Sequence, residues 1–531
     1  MSFTSPIFLV FIAVLVLLRY LLPKRFAWIL ILIANVIFYA FAGWYGFIFI
    51  AFTSFTAWIL SRAMDRNLSA QDLYLAEHKK EMQREERKVY KESMKKKRRL
   101  MLVIGLLLNF GILFALKYLN FFIANVNLFL PASARIGAMK LWLPMGISFY
   151  TFQTMGYLID VYRGKYPAEK NYFKLATFTS FFPLLVQGPI TRFNDLSKTL
   201  YDPADFSRKR FSFGIQRILW GYFKKVVIAD RILTAVTALI ASPDVYNGSY
   251  VFFGIVFYAI QLYADFTGGI DITIGIAQLL GIDVKENFER PFFSKDIAEY
   301  WRRWHISLGE WFKDYLFYPI SVSSGMLKLS RSARKKLGDK VGKKVPVYIA
   351  SLSVWAITGL WHGAAWNFIV WGLLNAFVII VSEELTPLYQ KFHARFPKLK
   401  GTAPYNVFEI LRTSFIMGSI RTLDCYRNVP VSFKAWFSMF TVPNLGQALA
   451  RDGGLMHLGL SIADYIVVFV GVLIMLAVSL KQRGGSVREA IWQKNSPALR
   501  YALMGAMVLV ILVFGAYGIG YDSAQFIYNQ F

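Results

Sequence analysis

Cysteine, histidine and acidic residues are all scarce in this 531-residue chain, and each shortage excludes a class of protein. The single cysteine, Cys425, excludes an internal disulfide and leaves no Cys/His spacing for a metal site. Charged residues make up 17% of the chain, against about a quarter in soluble globular proteins. The 32 acidic residues face 60 basic ones, which gives a formal net charge of +28. The composition therefore disfavours a soluble fold and a fold held by zinc or disulfides.

Hydrophobic residues take the place of the missing charges, at 56% of the chain. Because a span needs about 20 apolar residues, the candidate spans are the apolar runs near 6–22, 26–43, 44–61, 100–122, 250–281, 346–381, 459–480 and 499–519. Shorter, more polar segments at 143–160, 170–190, 211–240 and 405–448 are typical of broken or interfacial helices. The sequence predicts an all-α, multi-pass membrane protein with about ten to twelve spans, in one membrane-embedded domain over residues 1–531.

Three basic segments set the expected topology. Residues 62–99 carry 13 Lys/Arg against 7 acids and are predicted to form a charged helical hairpin. Residues 322–345 carry 8 Lys/Arg and one Asp, and are predicted to be a basic loop, while 481–500 carry 5 Lys/Arg and one Glu. Because Lys and Arg gather on the cytoplasmic side of membrane proteins, all three segments are predicted to be cytoplasmic and both termini extracytoplasmic. This clustering favours loop bias over nucleic-acid binding as the origin of the charge.

Five histidines are available for acid–base chemistry. Three lie in polar or loop-like segments, where a solvated role is expected: His78, His393 and His457. His362 instead lies within the apolar run, in the sequence GLWHGAAWNF. A helix that begins near Pro346 would place it about 24 Å along the helix axis. A polar group at that depth is costly unless it faces a cavity or a partner.

Small residues and tryptophans surround His362. Gly359 and Gly363 leave room for close helix packing or for a channel, which Trp361 and Trp366 would wall. From these residues alone two interpretations stay open. One is a functional histidine facing a channel, and the other is a structural histidine hydrogen-bonded between helices.

His305 lies in the mixed segment EYWRRWHISLGEWFKDYLFYPI, residues 299–320. Its charged and aromatic residues predict one amphipathic helix, either interfacial or lining a tunnel, and the residues alone favour a surface helix. The glycines of DFTGGIDITIGIAQLLG are spaced for helix packing rather than for a phosphate cradle. The chain has no GxSxG, HExxH, P-loop or GxGxxG motif. Histidine is therefore the group left to take a proton from a hydroxyl. Proton removal of this kind suits acyl transfer to an alcohol.

Four segments in order resemble the bacterial membrane-bound O-acyltransferase family, in particular its branch that O-acetylates alginate and other polysaccharides. They are LPMGISFYTFQTMGYLIDVYRG (143–164), VQGPITRF (186–193), the long segment 264–320 that contains NFERPFF and EYWRRWH, and GLWHGAAWNFIVWGLLNA (359–376). The resemblance implies a ring of helices around a central tunnel. It also implies transfer of an acyl group, most simply acetyl, from a cytoplasmic thioester to hydroxyls of an extracytoplasmic polysaccharide.

Two other functions are alternatives to this one. The same fold moves D-alanine from a carrier protein to teichoic acid in a related branch, and that activity stays an alternative. A transporter of lipid-linked sugars is disfavoured, because the sequence shows neither internal repeats nor paired broken helices.

The resemblance also implies roles for particular residues. His362 matches the catalytic histidine of the family and His305 matches a second histidine in the same tunnel. The tunnel and substrate residues that follow from the matched motifs are Trp361, Trp366, Trp304, Arg302, Arg303, Asp265 and Asn375. In the C-terminal tail, residues 520–531, Tyr528 matches a tyrosine implicated as a relay that carries the acyl group outward. Asn529 stands where an aromatic residue is usual, and an interfacial aromatic anchor is the alternative for this tail.

The remaining expectations concern ligands and partners. The resemblance implies no bound metal or cofactor, and a thioester substrate that is either acetyl-CoA or the phosphopantetheine of an acyl carrier protein. It implies an extracytoplasmic partner protein of the esterase or transferase type, a cytoplasmic acyl carrier protein where that is the donor, and no nucleic acid. The expected location is the bacterial cell membrane.

Overall fold

The computed structural model of this chain describes residues 1–450 and 453–517, and every regular element within those ranges is helical. The all-α fold class predicted from the sequence is therefore confirmed. The chain divides into two compact units, the first formed by residues 1–210 with 276–285 and the second by 211–275 with the residues from 286 onward. The prediction of a single membrane-embedded domain stays a prediction.

The first unit contains nine α-helices within the described residues. They are α1 (Pro6–Leu21), α2 (Ala27–Gly43), α3 (Phe47–Glu77), α4 (Arg84–Lys117), α5 (Leu119–Val126), α6 (Ile147–Tyr162), α7 (Tyr172–Thr179), α8 (Phe182–Gln187) and α9 (Phe193–Tyr201).

The second unit contains most of α10 and α12 and all of the later helices. Its helices are α10 (Arg208–Tyr222), α11 (Asp230–Ala241), α12 (Ser249–Leu279), α13 (Ile297–Arg303), α14 (Ile306–Phe312), α15 (Tyr318–Ser321), α16 (Ser324–Gly342), α17 (Val345–His362), α18 (Trp366–Glu384), α19 (Thr386–Arg395), α20 (Ala403–Ile420), α21 (Thr422–Tyr426), α22 (Val429–Thr441), α23 (Leu445–Ala448), α24 (Ile462–Lys481), α25 (Val487–Lys494) and α26 (Pro497–Phe514). Two π-helical turns, Phe223–Ala229 and Lys313–Phe317, follow α10 and α14.

Seven helical segments among the described residues are long and apolar enough to cross a membrane. They are Lys24–Glu77, Arg84–Lys117, Ser249–Leu279, Val345–His362, Trp366–Glu384, Ile462–Gly484 and Pro497–Phe514. The first of them contains both α2 and α3, and α1 is apolar but shorter. The chain is thus a multi-pass membrane protein, while the count of ten to twelve spans and the ring around a tunnel stay predictions.

The basic segment 62–99 is helical, as the sequence indicated, and the segment 322–345 is more helical than predicted. Residues 62–99 form the end of α3 and the start of α4, and buried Arg98 donates to the side-chain oxygens of Gln71 at 3.0 Å and Asn67 at 2.9 Å. These bonds join the two arms of the hairpin. The segment 322–345, predicted to be a loop, is mostly the helix α16, which is kinked where Gly338 has a φ of +79°.

The apolar run 346–381 is two helices rather than one. Helix α17 ends at His362, and α18 begins at Trp366 after an extended connection. Two glycines let these helices touch backbone to backbone, because a Cβ at Gly359 would lie 2.1 Å from the carbonyl oxygen of Phe368. A Cβ at Gly372 would lie 2.1 Å from the carbonyl oxygen of Trp355. The close packing fixes where His362 ends its helix.

A second pair of helices, α10 and α12, packs through glycines at seven-residue spacing. A Cβ at Gly221 would lie 2.6 Å from the carbonyl oxygen of Gly268. One at Gly275 would lie 2.9 Å from the carbonyl oxygen of Gly214. The packing role predicted for the glycines of DFTGGIDITIGIAQLLG is therefore confirmed for Gly268 and Gly275, whereas Gly281 lies beyond the end of α12 with a φ of +82°.

This packing predicts that Gly221→Ala destabilises the protein. The added methyl would meet backbone atoms of α12 that cannot rotate away, and overpacking of this kind costs roughly 1–3 kcal/mol. The matched control is Gly111→Ala on α4, where nothing lies within 4 Å of the new Cβ. Thermal unfolding of the detergent-purified protein should show a lower midpoint for Gly221→Ala and an unchanged or higher one for the control. Equal midpoints would contradict the glycine contact.

Candidate active site

His305 lies at a break between α13 and α14, so the single helix predicted for residues 299–320 is wrong. The residue has φ 48° and ψ 53°, a left-handed backbone conformation that is uncommon outside glycine. Its side chain is only 3% exposed, which also makes the surface-helix interpretation wrong. His305 lies outside the seven candidate spans, and burial lowers its pKa to about 3, so the imidazole is neutral near neutral pH.

Asn287 holds this break in place. Its backbone oxygen accepts the N–H of Ile306 at 3.0 Å, and its side-chain Oδ1 accepts both the N–H of Ser307 at 3.0 Å and the Ser307 hydroxyl at 2.9 Å. A backbone N–H can only donate, so Oδ1 must face Ser307 and Nδ2 must face His305. That amide nitrogen lies 3.3 Å from Nδ1 of His305. Nδ1 is therefore the acceptor, and a neutral ring carries its proton on Nε2.

His362 is the last residue of α17, and its half-buried ring lies among tryptophans. The ring meets Trp371 edge to face at a centroid distance of 4.9 Å, and Trp361 at 5.1 Å. The N–H of Gly363 donates to the carbonyl oxygen of Gly359, which closes the helix immediately after His362. The histidine therefore projects from a helix end rather than from the middle of a continuous span.

The two histidines share one indole ring. Trp361 is 3% exposed, and its ring centroid lies 6.0 Å from that of His305 and 5.1 Å from that of His362. Phe266 of α12 packs against the other side of His305 at 5.1 Å. Residues that are 57 positions apart in the sequence thus meet around a single aromatic group, in one cluster of the second unit.

Two more of the predicted tunnel residues adjoin this cluster. Trp304 is 4% exposed, stacks on Tyr300 at 5.6 Å, and carries the guanidinium of Arg421 at 4.5 Å above its ring. Asn375 is fully buried and accepts the indole N–H of Trp301 at 3.2 Å. The amide of Asn375 also donates to the backbone oxygen of Trp371, and so helps to set the wall on which His362 packs.

Three other predicted residues are more exposed or are paired on their own helix. Arg302 is exposed, and Arg303 pairs with Glu299 at 2.6 Å one helical turn earlier. Trp366, expected as a channel wall, is 56% exposed at the start of α18. Their role in a tunnel stays a prediction.

Asp265 and Tyr528 complete the predicted set. Asp265 is completely buried and lies 2.6 Å from Nζ of Lys225, which also contacts Asp230 at 2.7 Å. It follows that Asp265 joins α12 to the π-helical turn, one residue before Phe266 reaches His305. Tyr528 and the tail 520–531 lie outside the described residues.

Sequence reasoning missed Asn287 and Trp371. Both lie inside segments that carry the family resemblance, but neither has a chemistry that composition or periodicity brings out. Asn287 is polar, fully buried, and placed in an irregular connection between two helices. Its burial marks it as a residue that must be hydrogen-bonded, but burial in a connection between helices is visible only in the structure.

Comparison with known proteins shows which family the sequence matches. The family model described as MBOAT, membrane-bound O-acyltransferase family, matches residues 167–334 and 335–423, which include both histidines. The chain is 33% identical over 395 residues to the probable alginate O-acetylase AlgI of Azotobacter vinelandii, covering 72% of this chain and 69% of that protein.

Two further relatives carry related names. The peptidoglycan O-acetyltransferase of Helicobacter pylori is 32% identical over 330 residues, 57% of this chain and 59% of that protein. The teichoic acid D-alanyltransferase of Bacillus subtilis is 28% identical over 239 residues, 44% of this chain and 57% of that protein. These sequence matches show that the chain belongs to the membrane-bound O-acyltransferase family. Together with its apolar helices, they make it a multi-pass membrane acyltransferase.

Proposed function

We propose that this protein moves an acetyl group from a cytoplasmic thioester to hydroxyls of an extracytoplasmic polysaccharide. The observation that carries the proposal is the meeting of His305 and His362 around Trp361, in a chain similar to proteins named as O-acetylases of alginate and of peptidoglycan. Transfer of D-alanine to teichoic acid is the second candidate. It rests on a relative of lower identity that covers less of the chain.

His362 is the general base in this proposal. Its half-buried ring sits at a helix end, where an acceptor hydroxyl can approach it. The imidazole takes the hydroxyl proton as the oxygen attacks the thioester carbonyl, and the C–S bond then breaks. The departing thiolate receives the proton, so that an ester and a free thiol are the products. Trp361 and Trp371 hold the ring in one orientation throughout.

His305 supplies a hydrogen-bond donor rather than a second base. Asn287 holds the neutral ring with its proton on Nε2, and burial keeps the ring neutral. A fixed N–H aimed at the carbonyl oxygen stabilises the negative charge that develops there during attack. The two histidines thus differ in environment and divide the work, one accepting a proton and the other donating a hydrogen bond.

The basic residues of α4 suggest on which side of the membrane the thioester binds. Helix α4 has 34 residues and is about 51 Å long, which exceeds the roughly 30 Å hydrocarbon thickness, so its basic end and its apolar end belong to opposite faces. The basic end belongs in the cytoplasm, with the thioester, which is acetyl-CoA or a phosphopantetheine-bearing acyl carrier protein. The location proposed is the bacterial cell membrane, with both termini outside. An extracytoplasmic partner of the esterase or transferase type would complete delivery to the polymer.

Tyr528 is proposed as the first acceptor. A bulky polysaccharide can hardly enter a membrane to the depth of His362, whereas a short tail with a phenol can. The dozen residues 520–531 span up to roughly 3.3 Å each when extended, which is enough to turn back 15–20 Å. The phenol would lose its proton to His362, form an acyl ester with release of the thiol, and pass the acyl group to the partner.

His362→Ala is expected to lower polymer acetylation by roughly 10²–10⁴-fold, because it removes the proton acceptor. The matched control is His457→Ala, which truncates an exposed histidine in the same unit. Ester-linked acetate on the polysaccharide of complemented cells measures the effect, with membrane levels of each variant compared. Activity above about a tenth of wild type in His362→Ala would refute the assignment.

Asn287→Asp is expected to add a loss of transfer activity at high pH that the wild-type protein does not show. A carboxylate in place of the amide favours a charged His305 and raises its pKa, and the charged ring still carries an Nε2 proton. Below that raised pKa the variant keeps its donor. As the pH rises through the raised pKa, His305 loses one of its two ring protons. The carboxylate holds the other proton on Nδ1, so Nε2 no longer donates and transfer is lost.

The comparison is the pH profile of transfer for wild type, Asn287→Asp and His305→Ala. His305→Ala should be impaired at every pH. An Asn287→Asp profile parallel to that of wild type would show that the donor role assigned to His305 is wrong.

Tyr528→Phe tests the relay while keeping an aromatic tail. It should eliminate polymer acetylation, and the wild-type chain should accumulate an acetyl ester on Tyr528 when the partner protein is deleted. Peptide mass spectrometry detects the adduct. Full activity in Tyr528→Phe would return the tail to an anchoring role and leave direct transfer at His362.

A further inference from the structure

A cavity of about 640 Å³ lies within the second unit, and the described residues that line it do not include either histidine. Its volume is in the range of small-molecule pockets. Its walls come from α10, α12, the segment 286–290, α24, the connection through α25, and α26. The transfer chemistry proposed above makes no use of this space.

One wall of the cavity is an ionic network that the glycine packing of α10 and α12 brings together. Asp271 accepts from Nε of Arg217 at 2.8 Å and from Nζ of Lys224 at 2.5 Å. Lys224 also donates to the hydroxyl of Thr267 at 2.8 Å, and Arg217 makes a two-fold contact with Glu286. These groups give the inner end of the cavity a rigid polar surface.

A pair of arginines stands at another side, each over an aromatic ring. The guanidinium of Arg488 lies 5.2 Å from the ring of Phe213, and that of Arg500 lies 4.1 Å from the ring of Trp492. The two rings meet edge to face at 6.1 Å. Each arginine also donates to a backbone oxygen, Arg488 to Phe213 and Arg500 to Asn495. The aromatic support orders two planar groups that carry five N–H donors each.

The charges of the described lining residues do not cancel. Five are basic and three are acidic: Arg217, Lys224, Arg290, Arg488 and Arg500 against Asp271, Glu286 and Glu289. The excess of two positive charges favours an anionic ligand group. Guanidinium pairs are suited to phosphate, because their planar N–H groups match its oxygens.

A further part of the lining is hydrocarbon. It consists of residues of α24 and α26, namely Ile474, Met475, Val478, Leu503, Met504 and Met507. Both helices are candidate membrane spans, and the apolar window of α26 is 0% buried. From Arg500 to Met507 the helix advances about 10 Å, which is two thirds of the roughly 15 Å hydrocarbon depth of one leaflet. The cavity is thus polar at the basic end of these helices and apolar along their length.

We propose that this cavity binds a glycerophospholipid with an anionic headgroup, taken from the leaflet that borders the basic segment 481–500. The phosphate lies between Arg488 and Arg500, and an acyl chain runs along α24 and α26. The coenzyme A or phosphopantetheine of an acetyl thioester also carries phosphate. Its two-carbon acyl group, however, would leave the apolar methionine and leucine residues of the lining without a partner. Basic pockets between membrane helices are a known setting for anionic lipids. The proposal is independent of the transfer chemistry, because lipid binding needs no turnover.

The test is lipid retention by the full-length protein, purified in detergent, stripped of lipid and titrated with phosphatidylglycerol or phosphatidylcholine in native mass spectrometry. Wild type should prefer phosphatidylglycerol. The double variant Arg488→Gln/Arg500→Gln should bind it roughly 25-fold more weakly, since each basic group contributes about a factor of five. The matched control, Arg483→Gln/Lys494→Gln, removes the same charge from exposed positions of the same segment and should change the affinity by less than about threefold.

A second variant guards against simple misfolding. Met504→Trp fills part of the apolar wall while all lining charges stay, and it should weaken phosphatidylglycerol binding as well. Three outcomes would overturn the proposal: equal binding of both lipids by wild type, equal weakening by the control pair, or displacement of the bound lipid by acetyl-CoA. The last of these would assign the cavity to the thioester.

Discussion

The geometry of the two-histidine cluster depends on the hydrogen bonds of Asn287. A helix that breaks inside a protein leaves backbone groups that water cannot reach, and each costs free energy unless something pairs with it. Asn287 meets this need at His305, since it accepts from two successive N–H groups and from a hydroxyl while its amide faces the imidazole. One buried residue, through its backbone oxygen and its side chain, therefore fixes the break, the tautomer and the direction of the ring together.

Glycine contacts provide the second constraint. Where Gly359 and Gly372 let α17 and α18 touch, the connection between the helices is short and His362 must end its helix next to Trp371. The same device at Gly221 and Gly268 brings α10 against α12 and sets the ionic wall of the large cavity. Both sites in the second unit thus rest on backbone contacts that any larger residue would open.

The fold class and the candidate histidines could be predicted from the sequence, but the positions at which the helices end could not. Long apolar runs predicted a helical membrane protein, and the scarcity of other catalytic groups left histidine as the candidate base. The roles of His362 and His305 were implied by the family resemblance, since the residues alone favoured a surface helix at His305. Periodicity could not show that α17 stops at His362, because Gly363–Ala365 are as apolar as the helices beside them. It could not place the break at His305 either. That break is made by bonds from a residue 18 positions earlier, and no local preference encodes them. The exposure of Arg302 and Trp366 likewise depends on how the helices pack.

Transfer of the acetyl group across the membrane can be tested directly in membrane vesicles of known orientation. A radiolabelled acetyl thioester would be added outside inverted and right-side-out vesicles that contain the protein, its partner and the polysaccharide. Label on the polysaccharide should appear in the inverted vesicles, whose outer surface is the cytoplasmic face to which the basic segment 62–99 is proposed to belong, and not in the right-side-out ones. Labelling in right-side-out vesicles alone, or equally in both, would contradict the account.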